Sequence, residues 1–204
     1  MLALVLAGAA LADHPIIRFN AVDQAAARAT VLKGPDLGTG WAGGFKKPDL
    51  SSAPPCANYH PKQSDLVTTG AAESAFQSGG VVVDSEAQIE QTAHMLKLDW
   101  QRTFTPGLLP CLRIAFKAQF GTKATVVSVQ RTAFPQVAPY TAAIRALIDV
   151  PQGANKLRVI TDLIVFGSHR TELTLTVTAA GRSPTAVHVL EVQLARLLVS
   201  RVHT

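Results

Sequence analysis

Between residues 124 and 180 the hydrophobic period is two, and it holds through four successive runs: "ATVVSVQRTAF", "YTAAIRALIDV", "KLRVITDLIVF" and "TELTLTVTA". Alternate side chains of a strand point to opposite faces, so this period writes one buried and one open side. In the second run Tyr140, Ala142, Ile144, Ala146, Ile148 and Val150 share a face. In the fourth, Leu173, Leu175 and Val177 oppose Glu172, Thr174 and Thr176. The joints "PQVAP", "PQGAN" and "GSHR" are too short for the crossovers that parallel neighbours require. This part of the chain is expected to be an antiparallel meander.

Helical signals flank it. "NAVDQAAARATVLKG" carries Asn20 as an N-cap, places Val22, Ala26, Ala29 and Leu32 on one predicted face, and ends at Gly34. "SEAQIEQTAHMLKLDWQRTF" reads as a second helix, with Ser85 and Gln88 as a capping box and a stripe of Ile89, Ala93, Leu96 and Trp100. Asp84, Glu86 and Glu90 then lie near a helix start, where carboxylates favour the positive end of the dipole. After Thr105-Pro106-Gly107 comes a shorter helix, "LLPCLRIAFKAQFG". "SPTAVHVLEVQLARLLVSRV" closes the chain as another, with Ser183 as cap and Pro184 in its first turn. "LVTTGAAESAFQSGGVVV" reads as a hairpin turning at Ser78-Gly79-Gly80. Residues 34–65 are rich in Gly, Pro and Ser and are expected to be irregular. The predicted class is α+β: an antiparallel meander sheet of four to six strands flanked by N-terminal, central and C-terminal helices.

At 204 residues, 48% of them hydrophobic and 16% charged, with a mean hydropathy of +0.21, the chain suits a single packed domain over residues 13–204. The opening "MLALVLAGAALAD" lacks a basic n-region, yet its apolar run and small residues suit an export signal over residues 1–12. It is too short to span a bilayer, and no later stretch is long and apolar enough to do so. Residues 1–101 hold seven Lys/Arg against ten Asp/Glu, and residues 102–204 hold twelve against four. The basic side chains of the second half are scattered singly and aromatic residues are only 6% of the chain, so no nucleic-acid partner is expected.

Motifs of specific chemistry lack their contexts. Gly38 to Gly43 spell G-x-G-x-x-G, but no strand precedes them, no helix follows at once, and no acid stands about 20 residues on. Ser168 and His169 are neighbours in a hairpin joint, without a G-x-S-x-G elbow. Cys56, His60, His94 and Cys111 match no C-x-x-C zinc spacing, so neither metal nor cofactor is expected. Cys56 and Cys111 are the only cysteines. In an exported chain they read first as a disulfide stapling the "APPCANYHP" loop to the helix after Trp100. A catalytic Cys111 thiolate at that helix start is the alternative.

The order "DLGTGW", a looped Cys56, a helix with Trp100, Cys111, four strands and "LEVQLARLLVSRV" resembles actinobacterial secreted sensor-type domains, such as those outside receptor serine/threonine kinases and the related PsbP-like lipoproteins. The kinase-linked members usually hold two disulfides, and here one pair is available. The resemblance implies a sheet flanked by helices, a cleft for an extracellular ligand and no catalytic residues. The leading expectation is an exported, non-enzymatic ligand-binding or sensor-like domain of the cell envelope, taking a small-molecule, lipid or glycan ligand. Trp41, Tyr59, His60 and Trp100 are its candidate contacts. The alternatives are a secreted enzyme using Cys111 or a His/Asp pair, and a structural protein whose basic sheet face meets an anionic envelope polymer.

Overall fold

The computed structural model describes residues 13–50, 56 and 58–202. The expected leader, residues 1–12, lies outside the described residues. Along the chain come β1 (Ile16–Ile17), α1 (Ala21–Thr30), the single turn α2 (Gly34–Leu37), β2 (Ala42–Lys46), β3 (Val67–Ser78) and β4 (Val81–Glu90). There follow α3 (Ala93–Thr103), α4 (Leu108–Phe120), β5 (Thr125–Arg131), β6 (Tyr140–Gln152), β7 (Asn155–Ser168), β8 (Thr171–Ala180) and α5 (Pro184–Val199).

The α+β class holds, but the sheet is larger than a meander of four to six strands. It has eight strands in the order β1-β3-β4-β8-β7-β6-β5, with β2 also on β3. β5 to β8 form the expected meander, and the β3–β4 hairpin joins it through antiparallel pairing of β4 with β8. β1 runs parallel to the start of β3, and β2 antiparallel to its end, so two short strands share one edge. β2 falls in the stretch read as irregular. Its Gly43 has a positive φ of 148°, and a Cβ there would meet Ala75 O at 2.0 Å, so glycine permits the close pairing.

Two local readings are corrected by the register. Ser85 to Glu90 belong to β4, not to a helix: Val83, Ser85, Ala87 and Ile89 are buried, and the residues between them face the other way. The helix begins only after Thr92, whose hydroxyl accepts from the Met95 amide. In α1, Asn20 caps as expected, accepting from the Asp23 amide at 2.9 Å. The buried face, however, is Asp23, Ala27 and Thr30, while Val22 is 78% exposed. Asp23 accepts Arg170 Nη2 at 2.9 Å, and this partner turns the helix away from its most apolar stripe. Gly34 opens α2 rather than closing α1, whose C-cap is the extended Val31.

The sheet lies between two helical layers. On one face α1, the Leu32 that follows it, and α5 pack Ala27, Leu32, Val187, Leu194 and Leu198 against Phe76, Val83, Ile164, Phe166, Leu173 and Leu175. Each fully buried aliphatic or phenyl side chain there stabilises by about 1.5–3 kcal/mol. On the other face α4 sets Phe116 on Val126, Ala146, Ile148 and Val159. α3 lays Leu96 over Gly167, where an added Cβ would stand 3.3 Å from the leucine. On this second face α4 packs on β5 and β6 while α3 lies against β4 and β8, beside the polar alternation of β3, β4 and β8.

Candidate functional site

The alternation of β4 that buries Val83, Ser85 and Ala87 sends Asp84, Glu86, Gln88 and Glu90 to the opposite face. Glu73 of β3 is the cross-strand partner of Glu86, and Glu172 of β8 is the partner of Gln88. Like charges directly opposite are unfavourable unless something neutralises them. At the β3 side a cation does so: Lys46 Nζ lies 2.9 Å from both Glu73 and Asp84. At the other end no Lys or Arg among the described residues pairs with the Glu86, Glu90 or Glu172 carboxyl; Arg170 donates to the Glu90 backbone carbonyl at 3.0 Å but pairs its charge with Asp23.

Burial pushes the Glu86 carboxyl up to about 7, against the 2.7 Å hydrogen bond it accepts from Gln88. Burial, with the charge of Asp99 in α3, pushes Glu90 up to about 7. Asp99 is raised by burial, and Glu172 is raised well above the carboxylate range by burial and by Asp99, Glu90 and Glu86. Glu90 is only 4% exposed; one of its oxygens accepts from Thr68 at 3.2 Å, and the other is buried without a hydrogen-bond partner among the described residues. Glu172 Oε2 is in the same condition.

The disulfide region borders this face. Cys56 and Cys111 are joined by a disulfide with their Cα atoms 5.5 Å apart, which leaves no thiol for catalysis at Cys111. Tyr59 lies in the same loop; its hydroxyl donates to Thr103 O at 3.0 Å, and burial pushes the phenol up to about 12, with Asp99 and Glu172 adding to the rise. Gly107 lets this loop approach, because a Cβ there would stand 2.5 Å from Asn58 O. Upstream, the Asp49 amide donates to Glu73 Oε2 at 3.2 Å. The chain is thus anchored on the acid face before Cys56 and on α4 at it.

The candidates read from sequence divide between the two faces. Tyr59 and Trp100 stand on the acid-face side, where the Trp100 ring packs 4.1 Å from Phe104 and 5.3 Å from Tyr140. His60 follows Tyr59 and is exposed. Trp41 is half-buried against the core beneath α1 and α5, across the sheet from the others. The carboxyls themselves were missed: Asp84, Glu86 and Glu90 lie on a strand, so the helix-dipole reading of them is withdrawn. Their signal was the alternation "DSEAQIE", small or apolar residues between acids, which is strand-like.

A second polar cluster lies under α5. Arg145 of β6 holds Asp162 of β7 through two bonds of 2.7 Å, and Asp162 is 1% exposed. Glu191 of α5 joins them, 3.9 Å from Arg145 and 3.7 Å from His188, its carboxyl raised by burial and by Asp162. The fork geometry and the enclosing helix make this a device for seating α5. Arg158, Arg170 and Arg201 likewise bond Asp149, Asp23 and Asp36, so these cations of the second half are held in pairs within the fold.

Other chemistries stay without geometry. Gly38 to Gly43 lead into β2, with no helix opening behind them. Ser168 ends β7, and His169 occupies the hairpin turn at a φ of 54°. Among the described residues no three His, Cys, Asp or Glu side chains converge as metal ligands do. Among those residues, too, no helix is long and apolar enough to cross a membrane.

No protein-family model matches the chain, nor does any curated protein. Among solved structures it is similar to an uncharacterised protein from Mycobacterium smegmatis, at 14% identity and a TM-score of 0.46, over 88% of this chain and 98% of that one.

Proposed function

We propose that the chain is an exported, non-enzymatic ligand-binding domain of the sensor-like kind, whose ligand is held over the acid-rich face between β4, β8 and α3. The observation that carries this reading is the pair of buried, partnerless carboxyl oxygens on Glu90 and Glu172, at a face bordered by the disulfide-anchored loop. Leaving such acceptors unsatisfied costs about 1–3 kcal/mol each, a cost that a ligand's donors would remove. The disulfide supports export, since such bonds persist in oxidising compartments. Tyr59 and Trp100 supply aromatic walls near the same face, as clefts for small molecules commonly have.

The test is a thermal-shift screen of the oxidised protein against envelope glycans, lipid headgroups and small organic cations at neutral pH. The Glu90→Gln/Glu172→Gln double variant is screened in parallel. A ligand at about 100 times its dissociation constant adds about 2.7 kcal/mol, which raises the melting temperature by several degrees. The reading is overturned if no compound stabilises the wild type, or if every stabilising compound acts equally on the variant.

A further inference from the structure

Resting on that reading, we infer that the acid-rich face takes a small organic polycation, a linear molecule with two or more primary ammonium groups. The fold already contains the half-occupied version of such a site. Lys46 places its own ammonium between Glu73 and Asp84 at 2.9 Å from each, so this face binds one primary ammonium within the chain itself. The same carboxyl row continues inward through Glu86, Glu172 and Glu90 without a second ammonium. Its inner end is where Glu90, 4% exposed, and Glu172 keep buried oxygens with no partner.

The spacing has a direction as well as a charge. Glu86 and Glu90 are separated by four residues of one strand, about 13 Å, and Glu172 enters midway from the neighbouring strand opposite Gln88. Carboxyl groups therefore recur at steps of about 7 Å along the strand, a repeat suited to a flexible oligoamine lying along β4. A neutral ligand would leave these carboxyls facing one another, and a compact metal ion would need ligands converging on one point. Although the chain as a whole carries +5, this patch gathers acids in a poorly solvated setting, where a carboxylate formed beside an ammonium is attracted more strongly than in open water. The burial that holds Glu86 and Glu90 at about 7 implies that an incoming ammonium displaces protons near neutrality.

Spermidine titrated into the oxidised protein at pH 7.5 tests this by calorimetry, in two buffers of different ionisation enthalpy. Saturable binding is expected, with net proton release and clear weakening between low and high salt. Glu90→Gln/Glu172→Gln should weaken it at least tenfold, and this variant keeps the shape of the wild-type side chains. Lys46→Met, which frees Glu73 and Asp84, should tighten it, a change that a merely structural role for the acids would not produce. Binding that survives intact in the double variant, that shows no proton release, or that magnesium chloride of equal charge abolishes as a screening salt would overturn the inference. Spermidine failing while a neutral glycan still stabilises the wild type selectively would overturn the amine assignment and leave the ligand-binding reading standing. Failure of both arms would remove both.

Discussion

Replacing Glu90 by glutamine should make the protein more resistant to alkaline conditions. In the folded chain the Glu90 carboxyl is held at about 7 by burial and by Asp99, against 4.5 for the ordinary group. Between those values the native state carries a proton that the unfolded state has released, so stability falls as pH rises. Over a shift of that size the loss attributable to Glu90 is about 3 kcal/mol, complete somewhat above pH 7. Glutamine keeps the acceptor for Thr68, which bonds Glu90 at 3.2 Å, and carries no titrating proton. Urea denaturation at pH 5, 6, 7 and 8 measures this directly, provided the slope with denaturant is unchanged. At pH 5 the two proteins should be of comparable stability, and by pH 8 the variant should lead by about 3 kcal/mol. Some decline should remain in the variant, because Glu86, Asp99, Glu172 and Glu191 are also raised. Parallel pH curves for wild type and variant would refute the assignment of a buried protonated carboxyl.

Three further perturbations address other parts of the fold. Cys56→Ser/Cys111→Ser removes a bridge between residues 55 apart, and loop-closure entropy sets the loss at about 4 kcal/mol; a denaturation midpoint unmoved from that of the oxidised wild type would contradict it. Gly70→Ala would bring a Cβ to 2.4 Å from the Asp23 carbonyl oxygen, forcing α1 outward at a cost of about 1–3 kcal/mol, read as a lower melting temperature and faster amide exchange in α1. Arg145→Leu leaves Asp162 buried without its partner and should destabilise by about 3–5 kcal/mol; Arg145→Leu/Asp162→Leu should recover most of that, and a double variant as unstable as the single one would show that the pair is not what matters.

The meander and the closing helix were legible because each wrote its period without competition. Leu173, Leu175 and Val177 alternate with polar residues and are buried as the period requires, and Ser183 caps α5 by accepting from the Ala186 amide. β4 was not legible as a strand because "SEAQIEQTAHM" satisfies two templates at once. Ser85, Ala87 and Ile89 fit a period of two, while Ile89, Ala93 and Leu96 fit a helix, and only the partner β8 decides between them. That one ambiguity concealed the acid face, since Glu86, Glu90 and Glu172 become neighbours only when β4 lies beside β8. The buried side of α1 was hidden for a related reason. Asp23 turns inward to meet Arg170, a residue far along the chain, and no local pattern records that pairing.

The seam between β4 and β8 also sets an order in time. Its partners are far apart in sequence, as Val81 and Ala179 are, whereas the β3–β4 hairpin and the meander each close over short turns. Local pairings form first and distant ones wait for loop closure. During synthesis the hairpin therefore stands with an unpaired edge until β8 has been made, and that edge is a template for another chain. Along it, Asp84, Glu86 and Glu90 put charge on an otherwise sticky strand, with Gln88 as the uncharged member of the same alternating set. Charge on an exposed strand edge opposes edge-to-edge pairing, so these acids work against half-made copies joining before β8 arrives.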